Sequence, residues 1–351
     1  MKQNHIRTGG VAALAIASAL TNISCMSSTN PTTNSSAYQV TYLVADVAGL
    51  NASTIDPNLL NAWGIAMSST GDFWIGANHS SMAVNYDRNG TQAHTSIVIP
   101  ARDSNAGGAP SGAVINNTSD FGGAKVIFST EDGIIAAWSS GATATQVAKS
   151  TSTDGVYKGL AMASNSNVNY LYATDFREGK IDVYDKNFMP VSGMAFNDPN
   201  IPAGYGPFGI ANIGGQLYIT YALKKLPDMM DDSAGQGFGY VDVFNPDGSF
   251  VKRFASQGNL NSPWGIVKSN EGFGPFKNSI VIGNFGDGHI NAFDQSGNFL
   301  GQLEDKSGNV ITISRLWGLA FNSVVGDPNF LYFTAGPNDE NDGTFGYVQL
   351  K

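Results

Sequence analysis

Apolar and polar positions alternate along this chain in short bursts of four to eight residues, each closed by a Gly, Asp or Asn turn, which is the spacing of half-buried β-strands. No eleven-residue window beyond the N-terminal segment keeps the i, i+3, i+4 spacing of an amphipathic helix. One phrase recurs, in which a glycine is followed by two or three apolar residues: NAWGIAM at Gly64, PSGAVI at Gly112, YKGLAM at Gly159, PFGIAN at Gly209, PWGIVK at Gly265 and LWGLAF at Gly318. The intervals are 48, 47, 50, 56 and 53 residues, so the chain holds six units.

Each phrase is followed by two more strand-like runs separated by a polar turn, such as AKVIFST and IIAAW, NYLYATD and KIDVYD, or NSIVIGN and HINAFD. A weaker fourth run follows in most units, as in HTSIVIP, SFVKRFA and NFLGQL. Four short strands in a repeat of about fifty residues predict an all-β fold, a six-bladed β-propeller. The sixth unit stops after three strands, and YQVTYLVADV (Tyr38–Val47) is left over before the first. Pairing the two completes the last blade with the N-terminal strand and removes two unpaired edges. One propeller domain over 38–351 therefore replaces the two domains that a length of 351 residues would ordinarily suggest.

The first 24 residues break this pattern. Lys2 and Arg7 precede the ten-residue apolar stretch Val11–Leu20, too short to span a bilayer, as in an export signal. The single cysteine, Cys25, follows NIS and opens a Ser/Thr/Asn/Pro tract, so residues 25–37 read as a disordered polar tether. Cys25 lies where a bacterial lipoprotein would be acylated, although Asn22 stands where Leu is usual; ordinary cleavage after Ala17–Ala19 is the alternative. Either route places the protein outside the cytoplasm, in the periplasm, at the cell surface or secreted, and membrane contact runs through the lipid anchor alone. Without Lys2 and Arg7 the net charge moves from −9 to −11, which disfavours nucleic acid and leaves a weak pull on cations.

Six-fold closure would gather two sets of positions at one channel mouth. The residues before the repeated glycines are Trp63, Ser111, Lys158, Phe208, Trp264 and Trp317. Either the rings wedge between blades, or Trp63, Lys158, Phe208, Trp264 and Trp317 form a collar that stacks on a ligand. The second set, the loops between strands two and three, carries Glu131, Asp175, Asn284 and Asn338, whose oxygens would hold a divalent cation, Ca²⁺ in the first place, if they converge. Asp and Asn are equally at home in any tight turn. Asp287 and His289 in GNFGDGH are the candidate catalytic pair if a bound cation lies beside them, and an ordinary hairpin turn otherwise. GxSxG, HExxH, CxxC, P-loop and helix-opening GxGxxG signatures are missing. LKKLPDMMDDSAGQGFG (Leu223–Gly239) is the longest interruption of the repeat and a candidate lid.

The phrases PWGI, STEDGIIAAW, VYKGLA, LYATDF, GYVDVFNPDG, IGNFGDGHINAFD and LYFTAGPNDENDG together resemble a family of uncharacterised, exported bacterial proteins expected to be six-bladed propellers, distantly similar to NHL-repeat propellers. The resemblance covers about Tyr38 to Lys351 and implies the fold and export, but no activity and no catalytic residue. Two functions remain open from the sequence: a binding or interaction module for a small molecule, sugar or peptide, and a Ca²⁺-dependent hydrolase or lactonase. Lyase chemistry of the streptogramin type has little in the residues to recommend it.

Overall fold

A computed structural model describes residues 37–321 and 329–351. The export signal, most of the tether and Cys25 lie outside the described residues. Six sheets, each of at least four strands, follow one another along the chain as the repeat requires. The innermost strands are Ala62–Met67, Pro110–Ile115, Tyr157–Asn165, Tyr205–Ile213, Pro263–Lys268 and Leu316–Phe321, one for each glycine phrase. Each packs against the next and the sixth returns to the first, which closes a propeller. Among the described residues helix is confined to three single turns.

The last blade is completed as expected. Tyr38–Ala45 pairs antiparallel with Thr344–Leu350, from Tyr38 opposite Leu350 to Ala45 opposite Thr344. The core is distributed between blades, because the sheets pack face to face; Tyr172, Ile219 and Phe244, for instance, meet between the third and fourth blades.

The repeated glycine has a specific cause. A Cβ on Gly209 would stand 2.0 Å from the Trp264 carbonyl oxygen, on Gly64 2.4 Å from that of Ser111, and on Gly265 2.5 Å from that of Trp317. Each inner strand thus lies against the backbone just before the next glycine, a distance that no side chain tolerates. The pairing between first and second strands shifts register at this point in all six blades. A hydroxyl on the second strand fills the gap in several. Thr174 Oγ1 accepts from the Gly159 N–H at 2.7 Å and donates to the Phe208 carbonyl at 2.8 Å; Thr334 does the same between Gly318 and Trp63.

Away from the axis, Arg253 on the outer strand of the fourth blade makes ion pairs with Asp198 and Asp242 and lies over the Tyr240 ring. Burial pushes the Asp242 carboxyl up to about 7, with Arg253 opposing, and its Oδ2 is buried without a partner. An unfolded Asp ionises near pH 4, so between about 4 and 7 the folded chain holds a proton that the unfolded chain has released. Stability therefore declines through that window as pH rises. Asp242→Asn is expected to flatten this decline in thermal melts taken at half-unit steps; an unchanged slope would assign the titration to another group.

Candidate functional site at the channel mouth

The aromatic residues before the repeated glycines converge on the axis, and they converge on one another. Trp317 stacks on Trp63 at 3.8 Å and on Phe285 at 4.0 Å, while Trp264 meets it edge-on at 5.6 Å and Phe208 lies 5.8 Å away. Phe176 completes the cluster against Phe208. None of the four predicted collar rings is more than 8% exposed. They pack on one another as a plug at the axis, an arrangement that neither wedges between blades nor an open stacking collar describes. The channel is closed at this mouth. Below the plug it opens toward the opposite face as a cavity of about 350 Å³, whose wall includes Ile65, Met67, Leu160, Met162 and Leu319.

Lys158 lies on the plug. Its Nζ is 4.9 Å from the centre of the Trp63 ring, it makes an ion pair with Glu131, and Asp231 of the insertion stands 3.6 Å away. The side chain is 2% exposed. Burial alone would discharge the ammonium, but Glu131 and Asp231 outweigh it and hold the pKa above the ordinary lysine value. Asp232 and Glu340 are also within electrostatic reach of this charge, and burial raises the pKa of both carboxyls.

A second layer of amides fixes these acids. Asn78 Nδ2 donates to Glu131 at 2.9 Å, and Asn61 Nδ2 donates to Glu340 at 2.9 Å. Asn61 in turn accepts from Trp317 Nε1 at 3.2 Å and lies 3.3 Å from His79 Nε2. Plug and acidic ring are therefore one network drawn from all six blades, including the fourth-blade insertion.

Of the four residues expected to bind a cation, only Glu131 has its carboxylate in this network. Asp175 is turned into its own loop, where it accepts from the Val156 and Glu178 N–H groups and from Ser150. Asn284 donates to the Asn259 carbonyl at 2.7 Å and to Asp287 at 3.0 Å. Asn338 is exposed, and Glu340, two residues on, turns inward instead. Among the described residues no three His, Cys, Asp or Glu groups are placed to hold a metal ion. Asn284 Oδ1 is buried without a partner, but Asp175 is occupied in its own turn and Asn338 faces solvent, so the four do not converge as a Ca²⁺ site requires, and Glu131 meets the Lys158 ammonium.

Asp287 and His289 form the hairpin turn of the fifth blade. Asp287 Oδ1 accepts the His289 N–H at 3.0 Å, closing the turn, and its other oxygen accepts from Asn261. The imidazole Nδ1 lies 3.6 Å from Asp287 Oδ2 and 3.4 Å from Gln302 Nε2 on the blade's outer strand. Sequence reading missed Asn61, Asp231 and Asp232. Asn61 was legible only as part of NAWGIAM, and the two aspartates lie in the insertion, outside the repeat.

The fold and its mouth define a six-bladed β-propeller whose channel is plugged by aromatic rings beneath an acid-bound lysine. No model of a known protein family matches this chain. It belongs to one family with two uncharacterized proteins of Acanthamoeba polyphaga mimivirus: R648, 35% identical over 89% of this chain and 80% of its own length, and L690, 34% identical over 88% and 85%. These relatives are viral, and the bacterial source suggested by the sequence finds no support in them. Solved structures share the fold at low identity. A gluconolactonase from Xanthomonas campestris is 12% identical with a TM-score of 0.55, covering 84% of this chain and 87% of its own. Virginiamycin B lyase from Staphylococcus aureus is 14% identical at 0.54, covering 83% and 80%. The calcium-binding protein regucalcin from Agrobacterium tumefaciens is 14% identical at 0.54, covering 84% and 92%.

Proposed function

We propose that this chain is a binding propeller which presents its acidic mouth, with the insertion above it, to a cationic peptide segment. The observation that carries the reading is the charge balance: Glu131, Asp231, Asp232 and Glu340 surround a single ammonium, and Arg315 is already paired with Asp339 at 2.8 Å. Asp231 and Asp339 are 66% and 86% exposed, so the excess negative charge reaches solvent. Leu226 and Met230 are exposed on the same insertion and supply apolar contact.

A labelled peptide of alternating Lys and Leu is expected to bind with a micromolar Kd that weakens as salt is raised. Replacing Asp228, Asp231 and Asp339 together by Asn should weaken it at least tenfold. Equal affinity for a Glu/Leu peptide of the same length would remove the reading.

A Ca²⁺-dependent hydrolase or lactonase is the second reading. It is favoured by the shared fold with a gluconolactonase and by Glu340, whose raised pKa suits proton transfer. Turnover on a lactone and arylester panel, with and without Ca²⁺, decides between the two. Export and acylation at Cys25 complete the proposal, on the support of the first 25 residues alone. Cys25→Ser is expected to move the protein from the membrane to the soluble fraction, and an unchanged distribution would argue for simple cleavage.

A further inference from the structure

We infer that the Lys158 ammonium is the resident cation of the channel mouth, standing in for a divalent metal, and that it fastens the insertion Leu223–Gly239 over the plug. The inference does not rest on peptide binding. Lys158 is the single charged member of the ring of residues that precede the repeated glycines. Its own strand would be served equally well by an aromatic ring, as in four of the other blades. What distinguishes it is what it gathers: Glu131 from the second blade, Asp231 from the insertion of the fourth, the Trp63 face from the first, and Asp232 and Glu340 within electrostatic reach.

Three N–H donors on one ammonium can satisfy several carboxylates at once, which is the task of a metal in a ring of acids. A divalent ion placed beside a buried ammonium would meet like-charge repulsion without room to screen it. A second observation concerns Asp232. Its Oδ2 is fully buried without a hydrogen-bond partner, and the Ser262 hydroxyl and the Lys158 charge both act on the carboxyl to offset its burial. The nearby ammonium is therefore one of the groups that favour the ionised form of a carboxyl placed in the interior. The two ends of the insertion are tied to the body by hydrogen bonds, among them Lys224 N–H to the Gly204 carbonyl at 2.8 Å, Gly235 N–H to Asn261 Oδ1 at 2.7 Å and Gly237 N–H to the Leu260 carbonyl at 2.9 Å, while its middle meets the plug through Asp231 beside Lys158.

The test uses Ca²⁺ alone and limited trypsin digestion at Lys225, which is exposed on the insertion. Wild-type protein is expected to show no Ca²⁺ heat in calorimetry up to millimolar concentration, and the same melting temperature in EDTA and in Ca²⁺. Lys158→Met is expected to be cut in the insertion at least tenfold faster with its far-ultraviolet circular dichroism unchanged. If that variant does not fold, the double variant Asp231→Asn with Asp232→Asn, which keeps the Lys158–Glu131 pair, should give the same acceleration. Stoichiometric Ca²⁺ binding by the wild type, or cleavage that neither variant accelerates, overturns the inference.

Discussion

Trp317→Ala is expected to lower the free energy of unfolding by about 3–5 kcal/mol, the range for deleting a large buried ring. The effect should lie toward the upper end. Trp317 is 1% exposed and touches Trp63, Trp264, Phe208 and Phe285, which come from three other blades, so the void would open where no single sheet can collapse to fill it. The substitution also strips the indole N–H from Asn61, the amide that holds Glu340. Urea unfolding monitored by circular dichroism measures the change. A loss below about 1 kcal/mol would mean that the rings fill space without stabilising the ring of blades.

Lys158→Met should cost about 3–5 kcal/mol, because it leaves the half-buried Glu131 carboxylate without its counter-ion. The same argument requires a rescue. In Lys158→Met combined with Glu131→Gln, most of the orphaned charge is gone, so the pair of changes should destabilise less than the sum of the two alone. Strict additivity would show that the two groups do not depend on each other, whatever their separation.

The architecture was legible because its cause is local and repeated. A glycine every fifty residues or so marks the place where two inner strands touch backbone to backbone, and the leftover strand at Tyr38 had one open edge to join. The meeting of the aromatic residues at the axis followed from the same count, but their burial in one another did not. Which acids would gather was harder to read. Asn338, Asp339 and Glu340 take successive positive φ values of 56°, 51° and 68°, a left-handed run that sends Glu340 inward and Asn338 out, and nothing in NDENDG announces it. Asp175 was lost to the N–H groups of its own turn, the ordinary habit of that residue. Thr174, Thr220 and Thr334 stood at matching places in their units and were passed over as strand residues, although each accepts the N–H of its blade's glycine. The insertion obeys no period, so Asp231 and Asp232 could be placed by the folded chain alone.

The pairing of Tyr38 with Leu350, extended by the Lys351 N–H on the Ala37 carbonyl, makes the seam the most distant contact in sequence among the described residues. During synthesis the propeller's first strand must wait for its last, and until then the sixth sheet carries a bare edge able to recruit other chains. Once sealed, the two ends of the propeller lie on neighbouring strands. New termini cut into a polar turn elsewhere, with the old ones joined by a short linker, should still give a closed ring, and the order in which the blades appear would then be a matter of choice.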